Sequence, residues 1–266
     1  MPNKVTTGHF ANGLPFAHLG KGSRRLVILI GGPGPMPSGL GLNIYTYPYR
    51  MATRDFTIFV VGRKTGVPSG YSTRDMAADC AAAIDKEIGA PVDVIGASYG
   101  GLIAPYLAAD YPGLIHHLIL ASAAYCVSDQ GKILDRRFAE LQSQGRLGEA
   151  YAAEVTGMYP EGIRHYVFPL LARLVMSFNR HGPVSSGDLL IEAQAENDHD
   201  CNTILKEIQA PTLVIDGDRD YFFPVQLLKD TAALIPHARL KLFEGKGHGV
   251  VASGQFGREV LAFLRE

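Results

Sequence analysis

This 266-residue chain predicts an α/β fold: a mostly parallel central sheet with helices on both faces and a helical cap insertion. Three observations carry the prediction. Short continuous apolar runs recur at residues 26–30, 56–61, 92–95, 118–121, 211–215 and 240–243, as expected of strands buried on both faces. Stretches with apolar residues at helical spacing alternate with these runs, which is the order of strand–helix–strand crossovers. The alternation stops after Tyr125 and resumes near Pro211, so a helical stretch interrupts an otherwise regular sheet pattern.

In chain order, residues 5–10 and 15–19 flank Asn12-Gly13, a hairpin signal. The run at 26–30 ends in Gly31-Gly32-Pro33-Gly34-Pro35-Met36-Pro37-Ser38-Gly39. So many glycines and prolines can neither extend a strand nor start a helix, so a loop leaves the end of an interior strand, where open α/β sheets bind ligands. After the strand at 56–61, Ser72-Thr73-Arg74-Asp75 reads as a capping box. It opens a helix carrying Met76, Cys80, Ala83, Ile84 and Ile88 on one face. The next strand stops abruptly in Gly96-Ala97-Ser98-Tyr99-Gly100 and is followed at once by an apolar helix pattern from Leu102. A strand that runs straight into a helix forces a tight, strained turn with Ser98 at its tip. Gly96 and Gly100 supply the room, because a Cβ at either position would collide with the adjoining strand or helix.

Residues 132–144, 147–156, 163–178 and 188–196 read as helices of the insertion. The expected division is a core of residues 1–125 and 209–266 with a helical cap or lid at 126–208. Tyr125, Tyr151, Met158, Tyr159, Tyr166, Phe168, Met176 and Phe178 in or beside it pack the insertion onto the sheet. A few of them are expected to line an apolar pocket over Ser98. The sheet pattern then resumes: a strand at 211–215 leads into Asp216-Gly217-Asp218-Arg219-Asp220, and a helix covers 224–235. The last strand ends in Glu244-Gly245-Lys246-Gly247-His248-Gly249, and a helix closes the chain.

Composition narrows the function classes. With 47% hydrophobic and 19% charged residues the chain has the make-up of a globular protein. Its formal net charge of −1 makes no electrostatic case for nucleic acid or an anionic membrane. Three scattered cysteines, Cys80, Cys126 and Cys201, argue against a disulfide framework or a cysteine zinc site and fit a reducing compartment. Residues 1–20 lack an apolar core of signal-peptide length, and no apolar run is long enough to span a bilayer. The expectation is therefore a cytoplasmic protein with no nucleic-acid or membrane partner. Oligomeric state is left open.

A serine hydroxyl is a weak nucleophile until a base removes its proton, and that base is a histidine oriented by a buried carboxylate. Three strand ends offer the parts. They are Ser98, an aspartate among Asp216, Asp218 and Asp220, and His248 after the last strand. If the strands are parallel, all three stand at one edge of the sheet. The remaining histidines, His9, His18, His116, His117, His165, His181, His199 and His237, follow no strand-end motif and read as surface or satisfied core residues. The glycine-rich loop after Ile30 lacks the Gly-Lys-Ser/Thr ending of a phosphate loop, and the chain predicts neither a cofactor nor a metal site.

On Gly96-Ala97-Ser98-Tyr99-Gly100-Gly101, on Gly217-Asp218-Arg219-Asp220 with Pro224, and on Gly247-His248, the chain resembles the α/β-hydrolase family over nearly its full length. The resemblance implies Ser98 as nucleophile and His248 as base. The family's glycine-to-acid-to-proline spacing falls on Gly217, Asp220 and Pro224, which implies Asp220 as the acid. The amide of Tyr99 should supply one oxyanion donor. The loop after Ile30 resembles the family's histidine-glycine-glycine-proline-glycine loop with Ile30 in the histidine's place, which implies Gly32 as the other donor. Pro33 has no N–H to offer. The implied activity is cofactor-free cleavage of a small ester or related acyl compound through an acyl-enzyme. The same motifs also occur in family members that cleave carbon–carbon bonds, in aminopeptidases, whose pentad usually has tryptophan where this chain has Tyr99, and in non-catalytic ligand receptors.

Overall fold

The computed structural model describes residues 5–32, 34, 36–159, 162–178 and 186–266. Among them eight strands form a single sheet in the order β1-β2-β4-β3-β5-β6-β7-β8. The hairpin β1 (Thr6–His9) and β2 (Pro15–Leu19) turns at Asn12-Gly13, where Gly13 takes φ 89°, a left-handed conformation that glycine tolerates at low cost. The hairpin is antiparallel, and β2 runs antiparallel to β4 (Phe56–Val61). From there every pairing is parallel: β4 with β3 (Arg24–Leu29), β3 with β5 (Val92–Ala97), β5 with β6 (Ile115–Ala121), β6 with β7 (Thr212–Gly217) and β7 with β8 (Ala238–Phe243). The C-terminal ends of β3, β5, β7 and β8 therefore lie at one edge of the sheet, and the loops that leave them carry the predicted site residues.

Helices cover both faces. Against one face pack α2 (Thr73–Ala83), α3 (Tyr99–Asp110) and α8 (Val225–Leu234), through Met76, Leu102, Ile103, Leu107 and Leu228. Against the other pack α1 (Gly39–Thr46) and the closing α9 (Gly254–Leu264), through Leu42, Phe256, Val260 and Leu261. The capping box at Ser72 forms as expected, with Ser72 and Asp75 each accepting from the other's backbone N–H. That helix ends in a wider π-type turn, Ile84–Ile88.

Several elements depart from the sequence reading; β3 and β6 begin at Arg24 and Ile115, ahead of the expected 26 and 118. Residues 39–54 fold into α1 and a 3-10 stretch, Tyr47–Arg54. Gly39 and Gly41 make this a poor helix by intrinsic preference, and it forms because Leu42 and Tyr49 are buried on the α9 face of the sheet. Strand β8 starts at Ala238, two residues before its apolar run. As an edge strand it is only half-buried over most of its length, so its first residues carry no strong pattern.

Between β6 and β7 lie α4 (Asp129–Ser143), α5 (Leu147–Met158), α6 (Ile163–Phe178) and α7 (Ser186–Asn197). The two ends of this stretch meet. Cys126 pairs with Asp200 in an antiparallel bridge, and the Cys201 amide donates to the Tyr125 carbonyl at 2.9 Å. No helix among the described residues is long and apolar enough to cross a membrane.

Candidate active site

Ser98 stands between β5 and α3 with φ 50° and ψ −118°. A non-glycine residue at positive φ is strained and persists only where its surroundings hold it. Here the Ser98 amide donates to the Ala121 carbonyl of β6 at 2.8 Å, and its carbonyl accepts from the Gly101 amide at 2.7 Å. The flanking glycines are needed for space. A Cβ on Gly96 would come within 2.6 Å of the Gly100 carbonyl oxygen and 2.7 Å of the Ala104 Cβ, and one on Gly100 would strike the Leu29 backbone.

His248, at the end of the loop after β8, directs Nε2 at the Ser98 hydroxyl (2.9 Å) and Nδ1 at the Asp220 carboxylate (2.6 Å). Asp220 is fixed in turn: its Oδ1 accepts the amides of Phe222 (2.7 Å) and Phe223 (3.1 Å). The Phe223 ring stacks on the imidazole at 5.8 Å between centroids. Burial alone would push Asp220 up and His248 down. Their mutual attraction wins at both ends, so the carboxyl is held below the usual carboxylate range and the imidazole above the usual histidine value. Glu154 and Asp135 add to the rise of His248.

The other two aspartates of that loop do different work. Asp218 accepts the Gly245 amide at 2.7 Å and ties the β7 and β8 loops together. Asp216 is fully buried, and its Oδ1 accepts from the Ser122 hydroxyl and the Gly217 amide, both at 2.7 Å. Burial, then the adjacent Asp220 charge, pushes its carboxyl well up. Ser122 is itself held at φ 48° and also donates to the His248 carbonyl at 3.3 Å.

The glycine-rich loop packs over the serine. A Cβ on Gly31 would come within 3.0 Å of the Ser98 Cβ. Gly32 takes φ 69°. As the first residue of α3, Tyr99 has an N–H with no acceptor inside the helix. In place of the family's histidine the loop is held by Arg63, which is buried just past the end of β4. Its guanidinium donates to the carbonyls of Ile30 (3.0 Å), Gly32 and Gly34 (3.0 Å) and to Glu192 of α7 (3.0 Å). Glu192 accepts the Gly34 amide at 2.7 Å. The Tyr99 ring lies 4.6 Å below the guanidinium, and its hydroxyl donates to the Glu192 carbonyl at 2.8 Å. The Gly31 amide meets the Tyr45 hydroxyl at 3.4 Å. Pro33 lies outside the described residues.

Residues 53–254 match the family model for the alpha/beta hydrolase fold. The chain belongs to that family. Among curated relatives, it is 29% identical over 230 residues to the protein named "Putative carbamate hydrolase RutD" from Pseudomonas syringae pv. syringae, covering 80% of this chain and 85% of that one. It is 26% identical over 185 residues to the pimeloyl-[acyl-carrier protein] methyl ester esterase of Neisseria meningitidis, covering 65% and 55% respectively. Among solved structures, the alpha/beta hydrolase MGS-M2 from a Medee basin deep-sea metagenome library superposes with a TM-score of 0.78, at 17% identity over 98% of both chains. The enol-lactonase of Burkholderia xenovorans LB400 superposes at 0.77, with 19% identity over 98% of this chain and 100% of the other.

In this alpha/beta hydrolase the aromatic residues of the insertion divide between positions near His248 and positions away from it. Tyr166 is exposed, and Tyr151 packs edge-on against Phe138. Tyr159 does come near: a Cβ on Gly249, beside His248, would lie 2.8 Å from its ring. The side chains of Met176 and Phe178, and His181, lie outside the described residues. What sequence reasoning missed is a group of acids: Asp135 of α4, Glu154 of α5, and Glu192 and Glu196 of α7. Arg63 was within reach, because like Ser98 and Asp220 it follows a buried strand. The acids carry no such signal, since charged residues on a helix ordinarily face water. His199 is a core residue: its Nδ1 meets the Thr73 hydroxyl at 2.9 Å, Tyr106 packs against it edge-on, and burial pushes its pKa down to about 3.

Proposed function

We propose that this alpha/beta hydrolase is a cofactor-free serine hydrolase that cleaves a small ester or related acyl compound through an acyl-enzyme. The observation that carries the reading is the unbroken chain Ser98–His248–Asp220, at 2.9 and 2.6 Å, on a strained turn. In this reading His248 takes the Ser98 proton as the hydroxyl attacks the carbonyl. Asp220 holds the Nδ1–H tautomer and stabilises the imidazolium. The amides of Gly32 and Tyr99 donate to the developing oxyanion. His248 then protonates the leaving group, and afterwards it activates the water that releases the acid. Residues 126–208 act as the cap that closes over Ser98. The carbamate and ester activities in the names of the two curated relatives fall within this reaction class.

The test is covalent. An organophosphonate probe should label Ser98 and abolish hydrolysis of para-nitrophenyl acetate, and Ser98→Ala should take no label and show no turnover. Product released in excess of enzyme argues against a non-catalytic receptor. Label on a different serine, with Ser98 untouched, would sink the mechanism.

A further inference from the structure

Three helices each bring a carboxyl group to the site: Asp135 from α4 and Glu154 from α5 act on His248, and Glu196 from α7 acts on Tyr99 beside Ser98 and on Arg63. Asp135 and Glu196 are more than nine-tenths buried, and one oxygen of each, Asp135 Oδ2 and Glu196 Oε2, has no hydrogen-bond partner among the described residues. Buried carboxyl oxygens without a partner are rare because desolvating them is expensive. Glu154 Oε1 lies 3.8 Å from the point where a Cβ on Gly32 would stand, beside the proposed oxyanion amide. The groups are close enough to feel one another. Burial comes first in pushing Asp135 up to about 7, followed by the Glu154 charge, and in pushing Glu196 well above its ordinary value, followed by the Asp135 charge; burial likewise pushes Glu154 to about 7. The positive charges that oppose this are Arg63, committed to Glu192, and His248, committed to Asp220.

This arrangement works against the hydrolysis of a neutral ester. An oxyanion forming beside Glu154 would be repelled by any carboxylate there, in a site where little water screens the charge. A positive charge on the substrate reverses the sign. It would give the unpartnered oxygens their partner and draw the carboxyls to their ionised form. It would also place a cation between them and the oxyanion.

We propose that Asp135, Glu154 and Glu196 form a receptor for a protonated amine close to the scissile carbonyl, so that the preferred substrates are amine-bearing esters or amides. The inference rests on the serine-hydrolase reading, and two isosteric pairs separate the two. Alanine ethyl ester and ethyl isobutyrate differ by an ammonium against a methyl on the acyl side; 2-aminoethyl acetate and propyl acetate differ in the same way on the leaving side. In at least one pair the cationic ester should have the higher kcat/KM by about tenfold or more. Glu196→Gln and Asp135→Asn should each cut that ratio by about tenfold or more, because one charge-assisted partner is lost. Binding supplies a measurement independent of turnover. Titrated into the Ser98→Ala protein, alaninamide should bind about tenfold or more tightly than isobutyramide, and adding Glu196→Gln should erase the difference. Neutral members turned over as well as cationic ones in both pairs, with equal binding of the two amides, would overturn the receptor and leave the hydrolase reading standing. Turnover surviving in Ser98→Ala would overturn the hydrolase reading, and the amide titration would still decide the receptor.

Discussion

At the scale of single residues, three aspartates crowd the end of β7, and their contacts separate them. Asp220 faces the imidazole, Asp218 ties two loops together, and Asp216 is buried against the Ser122 hydroxyl and the Gly217 amide. Asp220→Asn should lower kcat by about 10⁴, because the asparagine no longer stabilises the correct tautomer and charge of His248. Asp218→Asn should cost little, since its acceptor oxygen survives. Turnover of the two variants, measured beside their thermal midpoints, checks the assignment; a dead Asp218→Asn with an active Asp220→Asn would reverse it. The pH profile follows from His248. Its pKa is raised in the folded protein, chiefly by Asp220 against the opposing effect of burial, and only the neutral ring can take the serine proton. Acylation should therefore rise with pH through a midpoint above ~6.5, the unperturbed value. Removing Glu154 or Asp135, which add to the rise, should move the midpoint down. A profile centred below ~6 in the parent protein would contradict the direction.

At the scale of elements, the end of β4, the glycine-rich loop and α7 are joined through one guanidinium. Arg63 has five N–H groups in a planar fork and uses them on three loop carbonyls and Glu192. A lysine cannot reproduce that set. Removing one partner of a buried pair leaves the other charge stranded, so Arg63→Met should destabilise by about 3–5 kcal/mol. The double variant Arg63→Met with Glu192→Leu should regain much of that loss, because no lone charge remains. Turnover should stay low in the double variant, since nothing then holds the carbonyls of Ile30, Gly32 and Gly34. Denaturant midpoints and kcat measured on the single and double variants test this. A double variant that recovers both stability and turnover would reduce the pair to a packing role.

For the molecule as a whole, the carboxyl group costs stability in return for its place at the site. Asp135 and Glu154 sit near about 7 in the folded chain and at ~4 when unfolded. Between those values the folded state holds more protons than the unfolded one, so stability falls as pH rises across that window. His248, raised in the folded state, adds a loss of the same sign as pH climbs through its folded pKa. Asp220 works the other way, but its contribution is lost only in stronger acid, as pH falls through its lowered folded pKa. The thermal midpoint should therefore be lower at pH 8 than at pH 5. Glu154→Gln and Asp135→Asn should flatten that slope and raise the pH 8 midpoint, with each kcal/mol recovered appearing as about 2–4 °C. Unchanged midpoints in both variants would mean that the two groups are not desolvated.

The parallel sheet, the turn at Ser98, an aspartate cluster after β7 and the strand-end position of His248 are all legible in the sequence, while the choice of Asp220 within that cluster rests on the family's spacing. Each rests on a pattern only a few residues long: an apolar run, a glycine pair around a serine, or a loop after a strand. Local sterics and periodicity write such patterns whatever the rest of the chain does. The helix at 39–46 and the 3-10 stretch after it are not legible, because burial of Leu42 and Tyr49 against distant α9 outweighs a glycine-rich local preference. Nor is the polarity of the site. Arg63 and Glu192 stand 129 residues apart, and Asp135, Glu154 and Glu196 come from three different helices. In the sequence each of these is a charged residue like any on a solvated helix face. Only the packing of α4, α5 and α7 takes them out of water together, and no local pattern in the sequence records that packing.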